Sequence, residues 1–338
     1  MEHNIIRLIK ENILQRRQNV AEFLETADAP TIRMRVGPAG ESAAADCVKE
    51  LDTCLHKAED HTLGICDICQ GEVDESRLRM DYTSSVCLEH LSSEERARLE
   101  SDLELSQKVQ RALLPQSLPE IPGLELAAFS QPAHIVGGDY FDFLKFKDDS
   151  HAIAIADVMG KGVPASMLMA NLQASLRIIV PESDEPASII CRLNRLFGRN
   201  INLTKFVTFV LAQYHEHTRS LTYCNAGHNP PLVRRQNGTI ERLMPTGAAI
   251  GLISQTEFSQ NTVTLQPGDR VLLYTDGVVE SFNQRKEFFG EERLEKFLQD
   301  SVTLPTARVI AALQEAMFRF TQSNIPADDT TIIVLTAK

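Results

Sequence analysis

Four aspartates stand beside glycine or threonine at the ends of apolar runs. They lie in Gly137-Gly138-Asp139, Asp157-Val158-Met159-Gly160-Lys161-Gly162, Thr275-Asp276-Gly277 and Ala327-Asp328-Asp329-Thr330. Strand-end loops are where a scaffold displays functional groups, and glycine lets such a loop approach a ligand closely. Gathering carboxylates costs Coulomb energy, about 4 kcal/mol for one close pair at intermediate dielectric. A divalent cation removes that cost. Oxygen-only ligands favour the hard cations Mg²⁺ or Mn²⁺. Two such ions sharing a carboxylate acidify a bridging water and clamp phosphoryl oxygens, which is the equipment for metal-assisted phosphate-ester hydrolysis. The competing reading makes each Asp-Gly a turn and each strand-end Asp a helix cap, which is the ordinary role of such residues taken singly. Four of them in one region weigh against it.

A second set of ligand-type residues comes earlier, as Cys66-x2-Cys69 and Cys87-x2-His90. Two ligands per knuckle, with soft sulfur and borderline nitrogen, suit a closed tetrahedral Zn²⁺ site that is structural because it leaves no open position. The alternative is four unrelated residues or a lost metal site. Cys47, Cys54, Cys191 and Cys224 read as small apolar residues within packed elements. Seven cysteines, an odd number, fit a reducing compartment better than a disulfide framework.

The elements that must position these residues fall into two styles. Ile5, Ile6, Leu8, Ile9, Ile13, Leu14, Val20 and Leu24 recur at three- and four-residue steps and predict one helix. A break at about Ala29–Ser42 and a second helix from about Ala43 to Asp60 make a helical hairpin. Ser92 followed by Glu94 and Glu95 opens a further helix, which is expected to bury one face made by Leu99, Leu103, Leu105, Val109, Ala112 and Leu113 and to end at Leu114-Pro115. From Leu124 onward short strands dominate: 124–130, 140–146, 151–157, 206–214, 220–225, 231–235, 270–274 and 330–335. Helices are expected at 164–180, 186–200, 291–299 and 305–320. Strands and helices do not alternate regularly, so the expected class is α+β and layered. The domains expected are 1–91, a linker helix 92–115, and 116–338.

The stretch from about Leu105 to Lys338 resembles the SpoIIE/RsbU-type branch of the metal-dependent PPM (PP2C-like) serine/threonine phosphatases. The resemblance is carried by LLPQSLPEIPGLELAAFSQPAHIVGGDYFDF, IADVMGKGVPASMLMANLQASLR, FVTFV, LTYCNAGHNPPLVRR, LQPGDRVLLYTDGVVES, FFGEERL and DDTTIIVL, in the family's order. It implies an αββα sandwich with two Mn²⁺ or Mg²⁺ ions at one edge of the sheets. It further implies Asp139 and the bridging Asp157 as ligands of the first half, the Val158 carbonyl as main-chain ligand, and Asp276 and Asp328 as ligands of the second half. Asp329 is a weaker candidate, since adjacent carboxylates point opposite ways from an extended strand. The implied reaction is attack of a metal-activated water on a phosphoserine or phosphothreonine. The implied partner is a phosphorylated STAS-type anti-anti-sigma factor.

The segment GICDICQGEVDESRLRMDYTSSVCLEH resembles the DksA/TraR-type zinc finger, with His90 in place of the last cysteine. That implies a regulatory finger with Cys66, Cys69, Cys87 and His90 on Zn²⁺. Two departures from the phosphatase pattern are visible. Met159 and Lys161 stand where eukaryotic members place a histidine, leaving the leaving-group acid unassigned, and no residue matches those members' phosphate-binding arginine. His228, in Asn225-Ala226-Gly227-His228, is open between a loop-structural and a catalytic role.

Other readings stay open at this point. Asp157-x-x-Gly160-x-Gly162 distantly resembles the box of histidine-kinase-like ATPases, although its spacing is one residue too long. A binding module that contacts RNA polymerase or another partner, beside a phosphatase-like domain that only senses, is a second alternative. The apolar face of the linker helix can pack within its own chain or form a homodimer. The net charge of −12 repels a phosphate backbone and argues against non-specific nucleic-acid binding. The longest uncharged apolar run, Phe206 to Tyr214, is too short for a membrane span, and the first residues lack a signal core. The expectation is a cytoplasmic protein with no membrane partner.

Overall fold

A computed structural model describes residues 3–26, 40–74, 78, 83–200, 206–253, 256–323 and 326–338. The expected break at 29–42 lies almost entirely outside the described residues, and so does Arg77 of the finger segment. The chain divides into two compact units, Met1–Ser101 and Asp102–Lys338.

In the first unit, α1 (His3–Thr26) and α2 (Gly40–Glu59) pair around Ile9, Ile13, Leu51, Cys54 and Ala58. An Arg17–Asp52 ion pair at 2.6 Å ties their polar sides. A compact segment follows, closed by a single 3-10 turn at Leu88–His90. Helix α3 (Ser93–Leu113) starts at the capping box seen in the sequence: the Glu95 N–H donates to Ser92 Oγ, and the Ser92 N–H donates to the Glu95 carboxylate. Its apolar face departs from expectation. Leu99, Leu105 and Val109 are exposed, and the buried residue of the helix is Gln110.

The second unit is a four-layer α/β/β/α sandwich, as expected. One antiparallel sheet runs β2 (Tyr140–Lys145), β3 (His151–Val158), β4 (Val207–His215), β5 (Ser220–Ala226), β8 (Asn261–Thr264). The other runs β1 (Leu124–Gln131), β10 (Thr330–Ala337), β9 (Arg270–Tyr274), β6 (Leu232–Arg234), β7 (Ile240–Arg242). Helices α4 (Val163–Ile179) and α5 (Pro186–Asn200) cover the first sheet. After a short α6 (Asp276–Val279), helices α7 (Gly290–Asp300) and α8 (Thr306–Thr321) cover the second.

Strand β3 shows why the layers form. Its Ile153 and Ile155 enter the core between the sheets, while Ala152, Ala154 and Ala156 face the helices, where small side chains let α4 seat closely. Against the expectation that no apolar stretch reaches span length, Val163–Glu182 is long and apolar enough to cross a membrane by length and composition. Within the fold it buries Ala165, Met169, Leu172 and Leu176 against that sheet, as a core helix does. Strands β7 and β8 were not anticipated. One has three residues, and the other, Asn-Thr-Val-Thr, is a mostly exposed edge strand with a single apolar residue to signal it.

Candidate metal and active site

Strand register assembles the site. β2 begins at Tyr140 opposite Ala156, so the preceding Asp139 stands across from Asp157 at one edge of the first sheet. In the second sheet β9 ends at Tyr274 opposite Ile332. Asp276 follows as the first residue of α6, and Asp328 lies just ahead of β10. The two sheets are stitched at this edge by Thr275. It accepts the Thr331 N–H at 2.9 Å and donates its hydroxyl to Asp139 Oδ2 at 2.8 Å.

Burial and mutual repulsion raise the carboxyls of this set. Burial first, then the charges of Asp276, Asp328, Asp329 and Glu280, push the Asp157 carboxyl up to about 7. Burial, followed by Asp328 and Glu280, raises Asp276 to about 6. Desolvation and then Asp157 hold Asp139 well above the usual carboxylate range. Carboxylates clustered with too little counter-charge behave this way.

The donor set fits hard divalent cations. Asp139 Oδ1 is buried with no hydrogen-bond partner. An orphaned buried polar atom of this kind costs about 1–3 kcal/mol unless an ion satisfies it. The Val158 carbonyl faces Gly138 so closely that a Cβ there would lie 2.7 Å from the oxygen. Among the described residues, only the Cys66, Cys69, Cys87 and His90 ligand atoms form a group lying entirely within 4.8 Å. The aspartates are spread more widely. Uncompensated charges repel, and a two-ion site spans more than one coordination shell.

Asp329 takes a different role from its neighbour. Its Oδ1 accepts the Ala133 N–H at 2.7 Å and its Oδ2 the Gly138 N–H at 2.6 Å, tying the loop that carries Asp139 to β10. Gly137 is required there, because a Cβ would overlap the Asp329 carboxylate. From the other side Gln110 of α3 clasps the same loop. Its amide nitrogen donates to the Gly137 carbonyl at 2.6 Å, and its amide oxygen accepts the Gly137 N–H at 3.0 Å. Replacing Gln110 by leucine orphans both buried main-chain groups, at about 1–3 kcal/mol each. The expected result is a lower melting temperature together with weaker Mn²⁺ binding. A variant with unchanged melting and unchanged Mn²⁺ affinity would contradict this role.

His228 is a buried loop residue whose Nε2 has no hydrogen-bond partner. Its ring is buried, hydrogen-bonds Thr208 Oγ1 through Nδ1 at 2.8 Å, and is held neutral by burial, its pKa lowered to about 4. Asn225 builds the loop around it, accepting the His228 N–H and donating to the His228 carbonyl. Lys161 reaches across the site to Asp328 Oδ2 at 2.8 Å. The residues that sequence reasoning missed are Gln110, Thr275 and Glu280. Thr275 carried a faint signal as the residue before Asp-Gly, whereas Gln110 on a polar helix carried none.

In the first unit, Cys69 Sγ and Cys87 Sγ are 3.9 Å apart, and Cys87 Sγ lies 3.1 Å from His90 Nδ1. A tetrahedral zinc with 2.3 Å bonds to sulfur needs sulfur atoms about 3.8 Å apart. Main-chain N–H groups, that of Cys69 foremost and then that of Cys87, draw the Cys66 thiol down to about 6, which favours the thiolate that a metal takes.

Comparison with known proteins adds the following. The family model described as Stage II sporulation protein E (SpoIIE) matches residues 147–338. The chain is 29% identical over 241 residues to phosphoserine phosphatase RsbU of Bacillus subtilis, covering 71% of each chain. Among solved structures it resembles the SiaA-PP2C domain of Pseudomonas aeruginosa, with a TM-score of 0.64 and 21% identity, over 73% of this chain and 100% of that one. It also resembles RsbX in complex with magnesium, with a TM-score of 0.51 and 17% identity, over 66% of this chain and 99% of that one.

Proposed function

The chain belongs to the SpoIIE family of PP2C-like serine/threonine phosphatases, and from that premise we propose that it hydrolyses a phosphoserine or phosphothreonine on a regulatory protein. The observation that carries this reading is the meeting of Asp139, Asp157, Asp276 and Asp328 from two sheets at one edge, with the carboxyls of the first three held at raised pKa. Bound Mn²⁺ or Mg²⁺ supplies an acidified water and a clamp for phosphoryl oxygens. Asp157 would be the ligand shared by the two halves, and Asp139, oriented by Thr275, would hold an ion in the first-sheet half together with the Val158 carbonyl. Asp276 and Asp328 serve the second half. Asp329 and Gln110 hold the Asp139 loop in place. The layered antiparallel fold leaves no support for the histidine-kinase-like ATPase alternative.

The substrate we favour is a phosphorylated STAS-type anti-anti-sigma factor, in keeping with the named activity of the RsbU relative as a phosphoserine phosphatase. The Cys66, Cys69, Cys87 and His90 set is read as a structural Zn²⁺ site of a DksA/TraR-like regulatory module. The exposed Leu99, Leu105 and Val109 of α3 are where a second copy would pack. An odd count of seven cysteines suits a reducing, cytoplasmic setting.

The test is hydrolysis of p-nitrophenyl phosphate, a phosphoserine peptide and a phosphorylated STAS protein by the purified full chain. Activity stimulated by Mn²⁺, abolished by EDTA and greatest on the STAS protein is the expected outcome. Absence of metal-stimulated hydrolysis on all three overturns the reading. The same preparation is expected to contain one zinc per chain, lost when Cys66 and Cys69 are replaced by serine.

A further inference from the structure

Lys161 lies in the loop between β3 and α4, four residues after Asp157. Its ammonium sits 2.8 Å from Asp328 Oδ2 and donates to the Ala327 main-chain carbonyl at 3.1 Å. It therefore crosses from the first sheet's edge to the second's and collects one carboxylate and one carbonyl. That is the kind of oxygen donor set a hard cation takes. Asp328 has its other oxygen engaged as well, accepting the Asp329 N–H at 2.9 Å.

The loop is built to let go. Gly160 and Gly162 flank the lysine with φ of 106° and 69°, values that glycine adopts without strain, and nothing stands within 4 Å of where a Cβ on Gly162 would be. The lysine side chain is 46% exposed, so the ammonium can turn outward into water, where it is strongly hydrated.

We propose that Lys161 is an internal counter-ion that competes with a divalent cation for Asp328, so that metal binding in the second-sheet half of the site requires the ammonium to release that carboxylate. The inference rests on the metal-dependent phosphatase reading above. It gives the two halves of the site different affinities. Asp139 and the Val158 carbonyl are free of the lysine, and an ion there binds unopposed. The ion that needs Asp328 binds against a tethered competitor, and its apparent dissociation constant is raised by the reciprocal of the fraction of time the latch is open. A latch closed nine-tenths of the time weakens that ion about tenfold.

The experiment is a Mn²⁺ titration of the full-length protein, following free Mn²⁺ by its electron paramagnetic resonance signal, for the wild type, Lys161→Met and Lys161→Arg. The wild type is expected to bind a tighter and a weaker ion. In Lys161→Met the weaker ion tightens by about 3–10-fold while the tighter one stays within about twofold, and Lys161→Arg keeps wild-type behaviour. Melting with and without Mn²⁺ gives a second readout, with a larger Mn²⁺-induced rise in Lys161→Met. Unchanged or weaker Mn²⁺ binding in Lys161→Met overturns the proposal and leaves the phosphatase reading intact. Absence of Mn²⁺ binding in the wild type itself overturns both.

Discussion

Asp157→Asn is expected to reduce phosphatase activity by about a thousandfold, about 4 kcal/mol of transition-state stabilisation, while making the metal-free protein more stable. Both effects have one cause. Asp157 is the carboxylate on which the charges of Asp276, Asp328, Asp329 and Glu280 all converge. In the proposed site it would be the ligand shared by two ions, and without them its charge is strained by burial and by repulsion from its neighbours. The amide keeps the shape and removes the charge, so burial becomes less costly and the ions lose their shared ligand. The pH dependence follows from the sign of the shift. A carboxyl whose folded pKa is raised to about 7 binds its proton more tightly in the folded state than in the unfolded chain. In the metal-free wild type the Asp157 contribution to stability is therefore full at about pH 4 and is lost as pH rises through 7, within a wider decline shared with Asp139 and Asp276. In the asparagine variant that decline shrinks to the part due to Asp139 and Asp276. Melting temperatures in EDTA from pH 4 to 8 check this, each kcal/mol recovered being worth about 2–4 °C. An identical pH profile in the two proteins would show that Asp157 is not the focus of the repulsion.

Gly277→Ala is expected to have the largest effect of any single methyl group in the site. A Cβ at Gly277 would overlap the Asp329 main-chain carbonyl and lie 2.9 Å from Thr330 Oγ1. Both belong to the segment entering β10, and the carbonyl cannot rotate aside as a flexible side chain could. Relief requires the ends of β9 and β10 to separate, which breaks the Thr275–Thr331 hydrogen bonds and moves Asp276 away from Asp328. Overpacking of this kind costs about 1–3 kcal/mol or more, and displacing a catalytic group by about 1 Å can cost a hundredfold in rate. The expected outcome is a clearly lower melting temperature and activity down by at least about a hundredfold. Near wild-type values for both would show that the two strand ends are not held as tightly as these contacts imply.

How much of this was legible in the sequence depended on whether a residue's partner was local. The Ile and Ala alternation of residues 151–158 predicted a buried strand, because the two faces of β3 meet different layers and each leaves its own mark on every second residue. The aspartates were legible because each site needed a turn beside it, and the turn wrote glycine or threonine next to the acid. Gln110 was not legible. Its partner is the main chain of Gly137, which leaves no trace in side-chain pattern, and an amide on a charged helix looks like any solvated residue. The same reasoning explains α3. Its apolar positions were legible, but the burial expected of them is absent at Leu99, Leu105 and Val109, because periodicity reports that a face is apolar and not what covers it. Asp328 and Asp329 were separated by a simple rule of strand geometry, and the hydrogen bonds of Asp329 to two main-chain amides give its different orientation a purpose.

The chain keeps its two kinds of donor in separate units, thiols and an imidazole in one and carboxylates in the other. First-row metals compete by the Irving–Williams order, in which zinc and copper displace manganese wherever the ligands allow both. A thiol–imidazole set would favour zinc by its softness, whereas an all-oxygen set would favour magnesium or manganese by its hardness.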